Sequence, residues 1–394
     1  TGERVPHFVD LDQTSLNAGQ RPYTLHPAVP LEYDREYVVG VRRLTTAEGE
    51  TLAPSEGFRL LRDGEVTTEG DLAYRVEHFD STVFPALEAQ GFDRGELQLA
   101  WSFHTISRES SLGDMQTVRD EGLAAVGATP VVTVVSMTED DCTAGGNIGR
   151  TVELEVEAPL FSESDAPGAR IHRGSDGLPE QNGTTTFAIT ARIPCSVITS
   201  GEPAPLLQYG HGLLGSRGEV RTGWLSGFAN QYGWIPVATD WTGMAEEDVA
   251  PIVAMAGDDP GSFAIVPERS MQGLLQQLLV VPAMRAIADD PAFQVDGHSL
   301  IDPDAPGYYG NSQGGIMGAA FPGLSQEVER GVLGVTGVNY GLTLPRSNDF
   351  DLYFVIIRQG FADGREIGLL VQGLFQQLWD VSEGAGYLHV LNAD

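Results

Sequence analysis

The sequence predicts an α/β protein in which a mostly parallel sheet with flanking helices, residues 129–394, follows a small all-β sandwich domain, residues 1–128. Two observations support this division. The first part contains short strand-like runs separated by Gly and Asp turns, a pattern typical of small sandwiches. The second part alternates apolar strand-like runs with helical segments, which favours βαβ units and therefore parallel strand pairs.

The first domain carries two clear strand signals and one helix signal. Residues 37–41 form a β-branched run, and residues 97–103 alternate strictly in side-chain character. Strict alternation predicts a strand with one face in the core and the other in water. A helix is predicted over residues 81–90, and the histidines of this domain are scattered singly, which favours structural roles for them.

Two alternating runs open the second domain, residues 151–156 and 186–193, and they predict a pair of antiparallel strands. The elements predicted after them are short apolar runs bounded by Gly, or apolar residues at helical spacing. They are strands at 205–209, 234–239, 307–310 and 331–338, helices at 271–289 and 364–379, and a last strand at 387–391. This alternation of strands and helices predicts a mostly parallel sheet.

The charge balance is strongly acidic. The 394 residues include 55 Asp and Glu against 23 basic residues, all of them Arg, which gives a net charge of −32. The acidic residues occur along the whole chain, so we attribute solubility to them rather than a binding tail. A chain this acidic is repelled by phosphate backbones and anionic membranes, which excludes nucleic acid as a partner. No apolar run is long enough to span a membrane.

The chain has two cysteines, Cys142 and Cys195. Two are too few for a zinc site made of four cysteine ligands. They flank the two strands predicted to pair at the start of the second domain, and that pairing would bring them close. They form one disulfide in an exported protein or remain two buried thiols, and the sequence leaves both alternatives open.

The motif that carries chemistry is Gly310-Asn311-Ser312-Gln313-Gly314, the only G-x-S-x-G pattern in the chain. A predicted strand precedes it, and the small residues of 315–320 follow as a predicted helix. In such a strand–turn–helix, a strained backbone presents the serine hydroxyl at the top of the sheet. Side chains two residues before and after the serine would clash, so Gly occupies both positions. The sequence therefore predicts Ser312 as a catalytic nucleophile.

A second motif, Gly210-His211-Gly212-Leu213-Leu214-Gly215, directly follows a predicted strand about 100 residues before the serine. Acyl transfer requires two backbone N–H groups that point at the developing oxyanion. With a G-x-S-x-G nucleophile, one comes from the residue after the serine, here Gln313, and one from the earlier loop, here Leu213. His211 precedes the nucleophile in the chain, so we expect it to shape the loop with Gly210 and Gly212 rather than to transfer protons.

Two further segments are expected near the mouth of this site. Asp240 follows the strand predicted at 234–239, where it binds a substrate hydroxyl or stabilises the turn, and both alternatives stay open. Residues 244–267 form a connection too long for a plain loop, so they are a candidate lid.

In their order and spacing, the motifs of residues 145–394 resemble those of an α/β-hydrolase serine esterase or lipase. The N-terminal part is similar to the immunoglobulin-like domain that precedes the hydrolase in some exported bacterial lipases. The segments that carry the further likeness to this bacterial group are 21–28, 37–40, 101–105, 345–350 and 378–380. The resemblance implies a carboxylic-ester hydrolase that acts through an acyl-serine intermediate without cofactor or metal, outside the bacterial cell or in its envelope.

The chain departs from the family's pattern at the general base. The family's chain order is Ser, then Asp or Glu, then His, and the only His after Ser312 is His389, which comes too early in the order of strands. We therefore expect the triad acid and His to lie beyond Asp394, and expect that the chain, which opens at Thr1 rather than Met, lacks both natural ends. His389 as base and Asp394 as acid remain the alternatives.

The leading interpretation is therefore an esterase or lipase whose partner is a small-molecule or lipid ester. A peptidase of the prolyl-oligopeptidase type is the alternative enzyme on this fold, but residues 1–128 are too short for its propeller domain. A non-catalytic cell-surface binding protein with a hydrolase scaffold is the alternative outside enzymes.

Overall fold

The computed structural model describes residues 2–12, 17, 19, 21–67 and 70–391. The chain divides into two compact units: among the described residues, the first unit contains 2–12, 22–67 and 70–110, and the second contains 17, 19, 21 and 111–391. No helix in the described ranges is both long enough and apolar enough to cross a bilayer.

The described part of the first unit contains two antiparallel strand pairs and three short helices. The strands are β1 His7–Leu11, β2 Tyr23–Pro27, β3 Glu36–Arg42 and β4 Leu97–His104, and the helices are α1 Glu56–Asp63, α2 Ala73–His78 and α3 Phe84–Ala89. β1 pairs with β2, and β3 pairs with β4. Phe58 of α1, Phe84 of α3 and Leu97 of β4 share one buried apolar cluster.

The two strands predicted in this region are confirmed as the pair β3 and β4, and the predicted helix coincides with the π-helical turn Phe79–Val83 and α3. The sequence analysis predicted one helix in this region and did not predict α1, α2 or a long helix, α4 Arg108–Val126. α4 buries Leu112, Met115 and Val118, spaced by three residues, which is a helical period that a search for alternation does not detect. The likeness to an immunoglobulin-like domain remains a prediction.

A seven-stranded mixed sheet forms the centre of the second unit, with the strand order β13-β12-β8-β9-β7-β6-β5. Its strands are β5 Val132–Glu139, β6 Ile148–Pro159, β7 Thr184–Pro194, β8 Ala204–Gly210, β9 Ile235–Ala238, β12 Ile301–Asn311 and β13 Gly331–Gly334. β10 Gln294–Val295 and β11 His298–Ser299 form a separate hairpin. β8, β9, β12 and β13 are parallel to one another, whereas β5, β6 and β7 form an antiparallel meander.

Helices cover this sheet and connect its parallel strands. They are α5 Cys195–Ser200, α6 Gly223–Tyr232, α7 Val249–Asp258, α8 Ile265–Ala286, α9 Gln313–Ile316, α10 Ala320–Leu324, α11 Tyr340–Thr343, α12 Asp351–Arg358, α13 Gly364–Leu369 and α14 Gln376–Trp379. α8 is buried on all sides, and its polar side chains are paired: Gln277 bonds Gln208, and Gln276 bonds Thr242. Pairing removes the cost of burying these amides.

Most elements predicted for this unit are confirmed. The pair 151–156 and 186–193 forms β6 and β7 in a register that aligns Val152 with Ala191 and Leu154 with Ile189. The strand predicted at 387–391 is wrong, because the 3₁₀ turn Gly384–Tyr387 continues there into further turns. Val390 and Leu391 donate their amides to the carbonyl of Tyr387, so these donors are used locally rather than in a sheet.

Cys142 and Cys195 form a disulfide, with their Cα atoms 5.4 Å apart. Cys142 lies in a 3₁₀ turn before β6, and Cys195 is the first residue of α5 after β7. The pairing of β6 with β7 therefore brings the two cysteines together. Gly149 lies against both sulfur atoms, and a Cβ at this position would overlap Cys142 Sγ. The structure thus decides between the two alternatives that the sequence left open.

Candidate active site

Ser312 occupies the turn between β12 and α9 with φ of 54° and ψ of −117°. A positive φ is costly for a residue with a side chain, so the surrounding bonds must hold it. The Ser312 amide donates to the carbonyl of Gly334 on the neighbouring strand β13. The Ser312 carbonyl accepts from the amides of Gly315 and Ile316, which starts the helix. The backbone at Ser312 is therefore fixed on both sides.

Glycine is required two residues before and two residues after the serine. A Cβ on Gly310 would overlap the carbonyl group of Gly314, and a Cβ on Gly314 would overlap that of Gly210. β12 and β8 are neighbours, so this contact also sets how closely the turn approaches the loop after β8. The crowding that the sequence pattern suggested is present in the backbone itself.

Tyr308, on β12, supports the turn at Ser312, a role that the sequence analysis did not identify. Its buried hydroxyl donates to the carbonyl of Gly314 at 2.5 Å. Gly210, Gly310 and Gly318 all border this hydroxyl so closely that a Cβ would overlap it. Burial raises the pKa of Tyr308 well above its usual range, so the hydroxyl remains a hydrogen-bond donor. The sequence signal was a tyrosine in the strand before a glycine-rich turn.

In the loop after β8, the backbone amides of Gly212 and Leu214 each have an acceptor, and the amide of Leu213 between them has none among the described residues. The Gly212 amide donates to the carboxylate of Glu219, at 3.0 Å to Oε2, and the Leu214 amide donates to Gln313 Oε1 at 3.2 Å. Among the described residues, neither the Leu213 amide nor the Gln313 amide has an acceptor. The two N–H groups predicted to bind the oxyanion are therefore the ones that make no hydrogen bond to the described residues.

His211 is fully buried, and the backbone occupies both nitrogens of its ring. Nε2 accepts from the amide of Trp241 at 2.8 Å, so Nδ1 carries the proton and donates to the carbonyl of Gly212 at 2.9 Å. Burial lowers the pKa of His211, which favours this neutral form. A ring held in this way connects the β8 loop to the segment after β9 and has no nitrogen left for a reacting group.

Asp240 and Glu219 are both engaged in the same region. Asp240 accepts from the amide and the guanidinium of Arg217, each at 2.6 Å. Glu219, which sequence reasoning missed, accepts from Tyr209 Oη at 3.2 Å as well as from the loop amide of Gly212. Asp240 therefore stabilises the start of a 3₁₀ turn, Arg217–Arg221, one of the two roles the sequence left open.

An open apolar pocket adjoins the loop after β8. Its walls come from that loop, the predicted lid segment 244–267 and the C-terminal helices, and they are aliphatic or aromatic throughout. Representative lining residues are Leu213, Leu214, Met244, Ile252, Phe375 and Trp379. Phe263, Phe375 and Trp379 pack their rings together at one wall, which gives that side of the pocket a fixed shape.

The general base and the acid of the predicted site stay predictions. Ser312 Oγ makes no hydrogen bond with any residue in the described ranges. His389 follows the last 3₁₀ turn, and Asp394 lies outside the described residues. Within the same ranges, no group of three or more His, Cys, Asp or Glu side chains could hold a metal ion.

No protein-family model matches the sequence, and no curated protein matches it. Solved structures of similar fold include acetyl xylan esterase 1 from Thermoanaerobacterium sp. JW/SL YS485, with 13% identity, 68% of this chain and 73% of that chain covered, and a TM-score of 0.39. An acetyl xylan esterase from Paenibacillus sp. R4 has 15% identity, coverage of 71% and 77%, and a TM-score of 0.42. An S-formylglutathione hydrolase from Agrobacterium tumefaciens has 14% identity, coverage of 65% and 74%, and a TM-score of 0.31.

The fold itself follows from the topology. A mixed seven-stranded sheet carries a strained serine turn after β12 and a glycine-rich loop after the adjacent parallel strand β8. Small antiparallel sheets precede it in the first unit. The second unit has the α/β-hydrolase fold that the sequence predicted.

Proposed function

We propose that the protein is a serine carboxylic-ester hydrolase with Ser312 as its nucleophile. The observation that carries the proposal is the backbone of Ser312, held at a positive φ between a strand and a helix, beside two amides without acceptors. Strain of this kind at a serine that faces a loop is typical of a nucleophile elbow.

In the proposed reaction, Ser312 Oγ attacks the acyl carbon while a general base takes the hydroxyl proton. The carbonyl oxygen becomes an oxyanion that accepts from the amides of Leu213 and Gln313. The C–O bond to the alcohol then breaks, the base returns its proton to the leaving oxygen, and water hydrolyses the acyl-serine by the same steps. His211 is not this base, because the backbone engages both of its nitrogens. The chain order of this fold places the base C-terminal to Ser312.

The apolar pocket beside the oxyanion loop supports an ester as substrate. Leu213 and Leu214 form part of its wall, so a group bound there would be next to the proposed oxyanion amides. Aliphatic and aromatic walls favour an acyl chain, since such a chain has no polar atom to leave unpaired. A peptide would bring backbone N–H and C=O groups that these walls do not satisfy, so we favour an ester over a prolyl-oligopeptidase substrate.

The test is covalent labelling of the protein as its gene encodes it. A fluorophosphonate should label Ser312 stoichiometrically and abolish hydrolysis of p-nitrophenyl butyrate. Ser312→Ala should reduce turnover at least about 1,000-fold while its unfolding transition stays at that of the parent. Labelling that persists in the Ser312→Ala variant would rule out this nucleophile. A well-folded protein that neither labels nor turns over ester would favour the binding-protein alternative.

We further propose that the protein works outside the bacterial cytoplasm. The disulfide between Cys142 and Cys195 supports this location, because such bonds persist in oxidising compartments. Thiol titration of protein isolated from its native source should find no free thiol before reduction and two after it. Two free thiols in the native protein would contradict the proposal.

A further inference from the structure

The side chain of Gln313 makes two hydrogen bonds to two different loops. Its Oε1 accepts from the amide of Leu214 at 3.2 Å, and its Nε2 donates to the carbonyl of Met244 at 2.8 Å. The side chain is fully buried, so water does not compete for either bond. Gln313 thus connects the nucleophile turn, the loop after β8 and the loop after β9.

The bond to Leu214 bears on the orientation of the neighbouring peptide. Leu214 has a φ of 49°, a left-handed conformation that a leucine adopts only where its surroundings impose it. Glu219 holds the amide of Gly212 on one side of Leu213, and Gln313 holds the amide of Leu214 on the other. The Leu213 amide lies between these two anchors, so its direction depends on both.

The bond to Met244 determines which end of the amide faces the oxyanion loop. The backbone around Met244 is rigid, because Asp248 accepts from the amides of Gly243 at 2.7 Å and Ala245 at 3.1 Å. Asp248 is itself paired with buried Arg269 at 2.7 Å. The Met244 carbonyl needs a donor, so Nε2 turns toward it and leaves Oε1 for Leu214.

We propose that Gln313 has a second role beside its backbone amide: its side chain is a positioning residue that holds the Leu213 amide toward the oxyanion. This inference rests on the proposed hydrolase function. Gln313 then provides one oxyanion donor with its backbone amide and orients the other, the Leu213 amide, with its side chain. The distance between the two donors therefore depends on this one residue. Donors that are oriented before the reaction stabilise the transition state more than the bound substrate.

The decisive variants are Gln313→Met, which is similar in size but makes neither bond, and Gln313→Glu. We expect Gln313→Met to lower kcat for p-nitrophenyl butyrate about 10- to 100-fold, less than loss of a whole oxyanion donor, with KM within about threefold. A phenylboronic acid, which forms a tetrahedral adduct on serine, should bind more weakly by the factor lost in kcat/KM.

Gln313→Glu adds a measurement, the pH dependence of kcat/KM, that would not change if the side chain only filled space. Ionised, the carboxylate repels the Met244 carbonyl; protonated, its O–H can donate to Met244 while its C=O accepts from Leu214. The ratio of kcat/KM between Gln313→Glu and the parent should therefore rise toward one as the pH falls. The titration of the general base cancels in this ratio.

Gln272 provides the matched control. It is also fully buried, accepts from the amide of Phe161 at 2.9 Å and donates to the carbonyl of Pro159 at 3.0 Å, and it takes no part in the proposed site. Gln272→Met should destabilise the fold comparably but leave kcat within about twofold.

The inference is overturned if Gln313→Met keeps its kcat within twofold, if Gln272→Met loses as much activity, or if the Gln313→Glu ratio is flat with pH. These outcomes are read in a protein that Ser312→Ala inactivates. Activity that survives Ser312→Ala would instead contradict the proposed function.

Discussion

The conformation of Ser312 is imposed by neighbours that leave no space for alternatives. Gly310 and Gly314 face backbone carbonyls, and the hydroxyl of Tyr308 fills the volume below the turn. A side chain at either glycine would have to move a strand rather than a flexible group. The strain at the serine is therefore maintained by packing that extends from β8 through β12 to α9.

Gly314→Ala tests this packing directly. Its Cβ would overlap the backbone of Gly210, so we expect a loss of about 1–3 kcal/mol in the free energy of unfolding and at least about 100-fold in activity. Urea unfolding and ester turnover measure the two effects. Gly113→Ala in α4 is the control, since nothing lies within 4 Å of its added methyl group and alanine favours a helix. Wild-type turnover in Gly314→Ala would show that the turn is not crowded in solution.

At the scale of single elements, the sequence predicted the strands and helices whose signal lies in consecutive residues. A β-branched run predicted β3, alternating runs predicted β4, β6 and β7, and apolar residues at helical spacing predicted α8, because each of these signals lies in neighbouring positions of the sequence. α1 and α4 were missed because the alternation of nearby strands directed the interpretation toward β structure. The strand predicted at 387–391 was an apolar run whose amides bond within a turn.

The serine turn was predictable for the same local reason, because its glycines lie within two residues of Ser312. The supports of the candidate site were not. Glu219 reaches the loop amide of Gly212, and Gln313 reaches Leu214 across 99 positions of sequence. The first contact depends on how the loop after β8 folds, and the second depends on the order of strands in the sheet, and a single sequence specifies neither.

The disulfide joins the elements on either side of the β6–β7 pair, and its removal should weaken this part of the sheet. The two cysteines are separated by 53 positions, and closing a loop of that size in the unfolded chain corresponds to about 4 kcal/mol. Cys142→Ala with Cys195→Ala should lower the free energy of urea unfolding by about this amount. Reduced wild-type protein should unfold at the same midpoint as the double variant. If the oxidised parent and the variant unfold together, the bond does not stabilise the fold.

For the molecule as a whole, the net charge of −32 makes stability depend on pH. Surface carboxylates repel one another at neutral pH, and salt screens that repulsion.

The buried carboxylate of Glu383 responds differently to pH. Glu383 and Asp380 both accept from the side-chain amide of Gln376 at 2.7 Å, and Glu383 Oε2 has no partner among the described residues. Burial raises the pKa of Glu383 to about 7, against the lowering effect of the bond from Gln376.

The sign of this effect is opposite to that of a carboxylate in an ion pair. Between its ordinary pKa of about 4.3 and the folded value of about 7, Glu383 is ionised in the unfolded chain but protonated in the folded one. Unfolding then releases a proton, so the contribution of Glu383 to stability falls as the pH rises through this window. Above pH 7 the Glu383 carboxylate is ionised in the folded protein, where it is buried without a counter-charge. The free-energy cost of burying that charge then reaches about 3 kcal/mol.

Glu383→Gln should remove this dependence. We expect the variant to match the parent near pH 4.5 and to be more stable by up to about 3 kcal/mol at pH 7.5, measured by urea unfolding at both values. Glu327→Gln is the control of opposite sign: the guanidinium of Arg285, which donates to Glu327 at 2.7 Å, lowers the pKa of that carboxyl. Loss of this partly exposed pair should cost about 1 kcal/mol or less at pH 7.5. A Glu383→Gln difference that is the same at both pH values would show that the carboxyl titrates normally in the folded protein. A difference confined to high pH, and insensitive to salt because the group is buried, would separate Glu383 from the surface charges.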